Sequence, residues 1–268
     1  MEAWRLVFWL LFSGCTSSDV LDSTSPVGEK KEDFLIDQLS FSRIDGDISW
    51  GFDIDRKESN AGDEEGCFHQ DWVDPLGNSG IDNALGALAP VLALTEAAAV
   101  ESIIDEHIRN GTILLILEWE GEVVRVLRGT GLPLVGTDGR MLDGQSIGYE
   151  ATPLTTVMLE PQDNTWFGYN FEVELHFSVL SNDILFDLQD GGLRIQRENE
   201  GLWGVLGGKI PIERLLVIAN DDQVGPNEIF VDMIQSAADI DPDEEGNCQF
   251  FSSSFVFRAV PVFLISDS

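Results

Sequence analysis

The sequence predicts an α+β, β-rich fold: a mostly antiparallel sheet or sandwich-like domain with one long helix at about 82–110 and two short helices. Apolar and polar residues alternate over residues 171–179, which indicates a strand with one buried face. Apolar residues recur at three- and four-residue steps over 82–110, which indicates an amphipathic helix. With 43% hydrophobic residues, the 268-residue chain can form a sizeable core.

The first fifteen residues, MEAWRLVFWLLFSGC, have the pattern of an export signal. The apolar run over residues 6–12 is too short to span a bilayer, which needs about 20 residues. Two small residues then lead into Cys15, and this resembles a bacterial lipobox, although Phe12 stands where Leu is preferred. We therefore predict a signal peptide at residues 1–14 and a lipid on Cys15. A simple secretory signal and a buried N-terminal strand are the alternatives.

Residues 15–32 are rich in Ser, Thr, Asp and Lys, which is typical of a flexible tether. The remaining chain, residues 33–268, is expected to form a single β-rich globular domain. The acyl chains on Cys15 would anchor it stably in a membrane, since each buried CH2 contributes roughly 0.8 kcal/mol. These features predict an exported cell-envelope protein, lipid-anchored in the outer membrane.

The net charge of -33 restricts the partners. No basic patch is visible, so nucleic acid is excluded as a partner. A surface this negative concentrates divalent cations, although solubility or adaptation to salt would explain the charge equally well.

The chain has three cysteines. If Cys15 carries a lipid, Cys67 and Cys248 form the one remaining pair, and an oxidising compartment favours a disulfide between them. Two buried thiols are the alternative. A zinc site is not expected, because these cysteines lack short-spaced partners.

The strands before the long helix are predicted at residues 34–41 and 50–55. In the second strand, the period of two places Asp53 and Asp55 on one face. The long helix begins at Asp82, and Pro90 marks a kink or a break in it.

Beyond Gly111 the sequence is typical of strands. Residues 112–119 and 122–128 predict a hairpin, and residues 184–188 and 193–197 predict another around Asp190-Gly191-Gly192. The short helices are predicted at 211–219 and 227–238, followed by a long strand or hairpin at 250–265.

Calcium is the predicted cofactor, because oxygen ligands are dense on a Gly- and Pro-containing loop. The predicted ligands are Asp71, Asp74, Asn78 and Asp82. A second, weaker candidate is the acidic loop that contains Asp239, Asp241, Asp243 and Glu245. Turn formation and helix capping favour the same residues and provide the alternative explanation in both loops.

No catalytic motif is present, and the three histidines have no metal-ligand spacing. We therefore expect a non-enzymatic binding or structural module, with an envelope polymer or a protein as its ligand. The alternative is a secreted, glycosidase-like hydrolase that uses a carboxylate pair near Asp53 and Asp55.

Several short motifs resemble a set of uncharacterised acidic exported lipoproteins of Gram-negative bacteria. The motifs are Gly51-Phe52-Asp53-Ile54-Asp55, Cys67, Asp74-Pro75-Leu76-Gly77, Gly80-Ile81-Asp82-Asn83-Ala84-Leu85, Ala238-Asp239, Cys248 and Phe255-Val256-Phe257-Arg258-Ala259. The resemblance runs over most of the chain. It implies a lipid-anchored envelope protein with a paired-cysteine domain, and it implies no particular activity.

Overall fold

The structure is a computed structural model that describes residues 30–64, 67–92, 100–179, 182–199, 201–219 and 228–266. The predicted signal peptide, the lipidation of Cys15 and the tether as far as residue 29 lie outside the described residues. Every element below belongs to one compact unit, Lys31–Ser268.

The described part of the chain is rich in strands and has four short helices. The described strands are β1 (Glu32–Phe41), β2 (Ile44–Asp45), β3 (Ile48–Ser49), β4 (Leu115–Glu120), β5 (Val123–Thr130), β6 (Gln145–Tyr149), β7 (Thr155–Met158), β8 (Glu160–Gln162), β9 (Thr165–Val179), β10 (Asn182–Glu198), β11 (Gly201–Pro211), β12 (Ile240–Pro242) and β13 (Cys248–Ser266). The described helices are α1 (Ala84–Leu92), α2 (Val100–Arg109), α3 (Ile212–Ala219) and α4 (Glu228–Ala237).

Five strands close into a barrel in the order β1-β4-β5-β6-β13, because β13 pairs with β1 as well as with β6. The pairing of β6 with β13 is parallel, whereas the others are antiparallel. Alternate side chains of these strands fill one hydrophobic core, which includes Leu35, Ile116, Leu127, Ile147 and Val262.

The long strand β13 continues out of the barrel and pairs with β11. From there the sheet extends through β10 and β9 to β8. A second core cluster covers this part of the sheet and includes Leu188, Ile195, Leu202 and Phe257. The barrel and this extension are therefore one mixed sheet of eleven strands, with β7 paired to β5 and β12 paired to β13.

The predicted fold class is wrong in its architecture, because the strands form a mixed sheet of eleven strands that closes in part into a barrel, and four short helices take the place of one long helix. The pairings of the described strands are antiparallel except that of β6 with β13. Barrel closure depends on the parallel pairing of β6 with β13. The sequence predicts the final strand at 250–265, but it predicts no strand at the position of β6. Side-chain periodicity reports which face of a strand is buried, but it does not identify the partner strand.

The single long helix predicted at about 82–110 is also wrong, because two short helices, α1 and α2, occupy this part of the chain. Pro90 lies inside α1, two residues before the last residue of that helix, Leu92, and it cannot donate the backbone hydrogen bond that a continuous helix would need there. Leu88 in α1 packs against the cluster of Phe41, Ala89 and Phe255, whereas Ile108 in α2 joins the barrel core. Ile104 in α2 packs against both clusters. No helix among the described residues is long and apolar enough to span a bilayer.

The predicted hairpin at residues 184–197 is a single strand, β10. Its Asp190-Gly191-Gly192 segment forms an irregularity in the ladder with β9 instead of a turn, and Asp190 has a positive φ of 47°. The glycines fit here because Phe171 and Phe52 occupy the space that a Cβ would need.

The predicted disulfide is confirmed: Cys67 and Cys248 are bonded, with their Cα atoms 6.2 Å apart. The bond joins the loop before Asp71 to the first residue of β13. Both cysteines are buried in a small cluster with Ala238.

Candidate metal centre and adjoining cleft

Three aspartates from two separate parts of the chain converge at one place. Asp53 and Asp55 lie in the turn that follows Phe52, and Asp82 lies two residues before α1. One carboxylate oxygen from each residue lies within 4.8 Å of those of the other two. This group of three, called the aspartate cluster below, could hold a metal ion.

Backbone pairing holds Asp82 beside the turn. The Asp82 N–H donates to the Phe52 carbonyl at 3.0 Å. In return, Oδ2 of Asp82 accepts the N–H of Ile54 at 2.7 Å and that of Asp55 at 3.3 Å. The strand predicted at 50–55 is therefore wrong, apart from one isolated bridge at Phe52. The carboxylate of Asp82 accepts the N–H groups that would otherwise pair with a neighbouring strand.

The ring of Phe52 positions the turn on the sheet. A Cβ atom on Gly192 of β10 would lie 2.5 Å from this ring, and one on Gly207 of β11 would lie 2.8 Å from it. The two glycines thus leave a depression that the ring fills. A larger side chain at either position would displace Phe52 and, with it, the aspartates that follow.

Burial sets the electrostatics of the cluster. Asp82 is only 3% exposed, whereas Asp53 is exposed and Asp55 is partly buried. Loss of hydration raises the pKa of Asp82 to about 9, and the nearby charges of Asp239 and Asp55 act in the same direction. Burial also raises the pKa of Asp53. Three carboxylates this close repel one another when ionised, and a bound cation would remove that repulsion.

The structure places the residues of the predicted calcium loop separately. Of the four predicted ligands, Asp82 belongs to the aspartate cluster. Asp74 does not belong to it, and its Oδ2 accepts hydrogen bonds from Asn78 at 2.9 Å and from Arg194 at 2.6 Å. These bonds outweigh the effect of burial and lower the pKa of Asp74. Oδ2 of Asp71 accepts the N–H of Ser59 at 2.6 Å. Burial raises the pKa of Asp71 to about 6, and the charges of the cluster add to the increase.

The second acidic loop has its side chains in three different environments. Asp239 is buried and hydrogen-bonded to Ser252, and loss of hydration raises its pKa to about 7. Asp241 pairs with Lys209 at 2.6 Å. Asp243 closes its own turn by accepting the N–H groups of Glu245 and Asn247. Contacts with Ser252 and Lys209 and the formation of a turn are therefore sufficient to account for the aspartates of this loop.

A cleft of about 1030 Å³ adjoins the aspartate cluster. Its lining includes Asp53 and Asp55 together with aromatic, amide and cationic side chains: Phe52, Phe167, Tyr169, Gln162, Asn170, Arg56, Arg194 and Lys209. The cleft therefore combines an aromatic surface with polar groups, as small-molecule sites do.

Arg194 stabilises the wall of this cleft from within. Its guanidinium group is buried, donates to Asp74, and lies 5.1 Å from the ring centroids of both Trp50 and Phe167. Its Nε and Nη1 have no hydrogen-bond partner among the described residues, and the aromatic faces are their main contacts. Arg194 thus connects β10 to the loop that contains Trp50, Asp53 and Asp55 and to the loop that contains Asp74 and Asp82.

Comparison with known proteins found no matching family model, no similar curated protein and no similar solved structure. The fold and the site therefore define the class in structural terms alone. The protein is a mixed β-sheet domain with a closed five-stranded barrel and with three clustered carboxylates beside a cleft.

Proposed function

We propose that this chain is an exported, lipid-anchored, non-enzymatic envelope protein whose aspartate cluster binds calcium and whose cleft receives a ligand. The observation that carries the proposal is the convergence of Asp53, Asp55 and the buried Asp82 within 4.8 Å. Asp53 is exposed and Asp55 is only partly buried, so a cation would keep open positions for water or for a ligand. The ligand chemistry favours a hard cation such as calcium, because every candidate ligand is a carboxylate oxygen, without sulfur or imidazole.

The proposal of export and anchoring rests on the sequence MEAWRLVFWLLFSGC and on its resemblance to acidic exported lipoproteins of Gram-negative bacteria. The Cys67–Cys248 disulfide supports it, because such bonds persist in oxidising compartments. An intact mass is the direct test. Cleavage before Cys15 with an added diacylglyceryl group is expected, whereas an unmodified Cys15 or a retained Met1 would exclude anchoring.

A glycosidase-like hydrolase is the second candidate, because Asp82 has a pKa of about 9 beside the more exposed carboxylates of Asp53 and Asp55. No substrate-binding or catalytic motif in the sequence supports this candidate, and clustered carboxylates serve a cation site equally well. A screen with chromogenic glycosides separates the two functions. Turnover that disappears in Asp53→Asn would favour the hydrolase, and no turnover would remove it.

Thermal melting in EDTA and in calcium tests the calcium site. A ligand that binds only the native state at 100 times its Kd adds about 2.7 kcal/mol, which raises the Tm by roughly 5–10 °C for a domain of this size. Asp53→Asn should lose most of this shift. Asp47→Asn is the matched control, since Asp47 is also exposed but lies outside the cluster. No shift in the unmodified protein would remove the proposal.

A further inference from the structure

Strand β9 has a long edge to which no described strand is paired. Strand β8 pairs with its first three residues, Thr165–Phe167, and β10 pairs along its other side as far as Val179. On the side of β8, residues 171–179 form no backbone bridge or ladder with another described residue. The N–H and C=O groups on this side are therefore a template on which a further strand can form.

The sequence of this edge lacks several features that prevent strand addition. Residues 171–179, FEVELHFSV, contain no proline and no lysine, and nine residues are more than a typical strand has. The irregularities in the ladder with β10 lie between Val173 and Tyr169, so the ladder is regular from Val173 to Val179. The charges on this edge are glutamates, which repel an acidic chain and attract a basic one.

The two faces of the edge define the side chains that a further strand would carry. Phe171 and Val173 are buried, and Leu175 is partly buried and packs against the same core cluster. On the other face, Glu172 and Glu174 are exposed. Side chains that lie opposite each other on adjacent strands interact, and opposite charges stabilise the pair. A matching strand therefore alternates apolar residues with Lys or Arg.

The glutamates of this edge have no cationic partner among the described residues. Glu174 lies opposite Asp187 in the ladder with β10, and like charges in such a pair repel each other. Arg214 is 4.0 Å from Asp187 and forms no ion pair with Glu174.

The cation at the other end of the edge contacts an amide. Arg56 donates to Oδ1 of Asn170, the residue that precedes Phe171, at 3.2 Å, and it forms no ion pair with Glu172. A basic side chain on an added strand would therefore supply an opposite charge that the described part of the chain does not supply.

We propose that β9 binds an extended basic segment of a partner protein, which adds a strand along residues 171–179 and places Lys or Arg beside Glu172 and Glu174. This inference does not depend on the calcium site. Charge complementarity selects this occupant over a second copy of the chain. With a net charge of -33, the protein attracts a basic segment and repels its own copies.

Hydrogen exchange of the full-length protein, with and without a synthetic peptide of alternating lysine and valine, is the test. In the free protein, the amides of β9 that face away from β10 should exchange faster than those of β11, which has a paired strand on each side. The peptide should slow exchange within residues 171–179 about tenfold or more. A peptide of the same sequence with an N-methylated backbone keeps the charge and loses its N–H donors. It should bind at least about tenfold more weakly.

A double variant tests the charges. Glu172→Lys with Glu174→Lys should weaken binding of the unmethylated peptide about tenfold or more, because two attractions become repulsions. Glu244→Lys with Glu245→Lys is the matched control, since it makes the same change of charge at two exposed residues outside β9 and should change the affinity less than about twofold.

The remaining outcomes overturn the proposal. No binding of the unmethylated peptide, or slowed exchange outside residues 171–179 alone, would remove it. Equal binding of the two peptides, or equal binding by the two double variants, would show only a general attraction to an acidic surface. If the free protein already protects residues 171–179 as strongly as β11, the edge is occupied by this chain or by a second copy. A dimer mass in sedimentation would then identify the second copy.

Discussion

The carboxylate of Asp82 accepts the backbone N–H of Ile54 at 2.7 Å and that of Asp55 at 3.3 Å. Asp55 lies 27 positions before Asp82 in the chain. One buried side chain thus fixes the turn and completes the aspartate cluster. Fixing the turn requires an oxygen that accepts a hydrogen bond, whereas holding a cation requires negative charge. An asparagine at this position supplies the first property without the second.

We predict that metal-free protein loses stability as the pH rises from about 4 to about 9. The folded-state pKa of Asp82 is raised to about 9 and that of Asp239 to about 7, so the native state holds protons that the unfolded chain has released. Stability from these groups is fully present below their unfolded pKa of about 4. It is lost as the pH rises through the folded values, at up to about 1.4 kcal/mol per pH unit for each group.

Melting curves in EDTA at several pH values measure this loss. Asp82→Asn should flatten the dependence, since an amide does not ionise, and calcium should flatten it in the unmodified protein by stabilising the ionised cluster. Asp47→Asn should keep the original slope. A Tm that stays constant or rises between pH 5 and 8 in EDTA would contradict the prediction.

Arg194→Met should destabilise the domain by about 3–5 kcal/mol, because it leaves the buried carboxylate of Asp74 without a cation. Urea denaturation provides the measurement. The double variant Arg194→Met with Asp74→Asn should recover part of the loss, because it removes the unpaired charge. The matched control is Arg109→Met, which breaks an exposed pair with Asp105 and should cost less than about 1 kcal/mol. Equal losses in the two single variants would show that the buried pair has no special role.

Removing the Cys67–Cys248 bond should lower the stability by about 2–5 kcal/mol, since the bond closes a loop with a sequence separation of 181 residues. The double variant Cys67→Ala with Cys248→Ala, compared with the unmodified protein in urea, measures the effect. Unfolding without a reductant should also leave both cysteines unreactive towards a thiol reagent. Labelling of either cysteine would show that the bond is absent in the purified protein.

Local patterns in the sequence predicted local structure. The alternation over 171–179 appears in β9, where Phe171 and Val173 are buried and Glu172 and Glu174 are exposed. The predicted hairpin at 112–128 corresponds to β4 and β5, which pair antiparallel. Both features depend on neighbouring residues, so a single sequence is sufficient to find them.

Features that depend on distant partners were not predicted. The glycine-rich stretch at 203–210 is strand β11, because its glycines leave room for Phe52 and Phe257. The long β13 leaves the barrel to reach β11, and no period in the sequence marks that continuation.

The same difference between local features and contacts of distant residues applies to the candidate site. The sequence singled out Asp82 as an oxygen ligand, and it singled out Asp53 and Asp55 as a carboxylate pair, but it did not connect them. The connection is the backbone bridge between Phe52 and Asp82, which lie 30 positions apart in the chain. Asp74 was predicted as a ligand because the sequence does not reveal that Arg194, from a strand 120 residues away, occupies its carboxylate.

Calorimetric titration of calcium into EDTA-stripped protein is the most direct test of the aspartate cluster. The unmodified protein and Asp47→Asn should each bind about one calcium ion per chain at this site, in addition to any weak binding to the acidic surface. In Asp82→Asn and in Asp53→Asn this binding should be lost while the domain remains folded. Absence of saturable binding in the unmodified protein, or unchanged binding in Asp82→Asn, would contradict the calcium site.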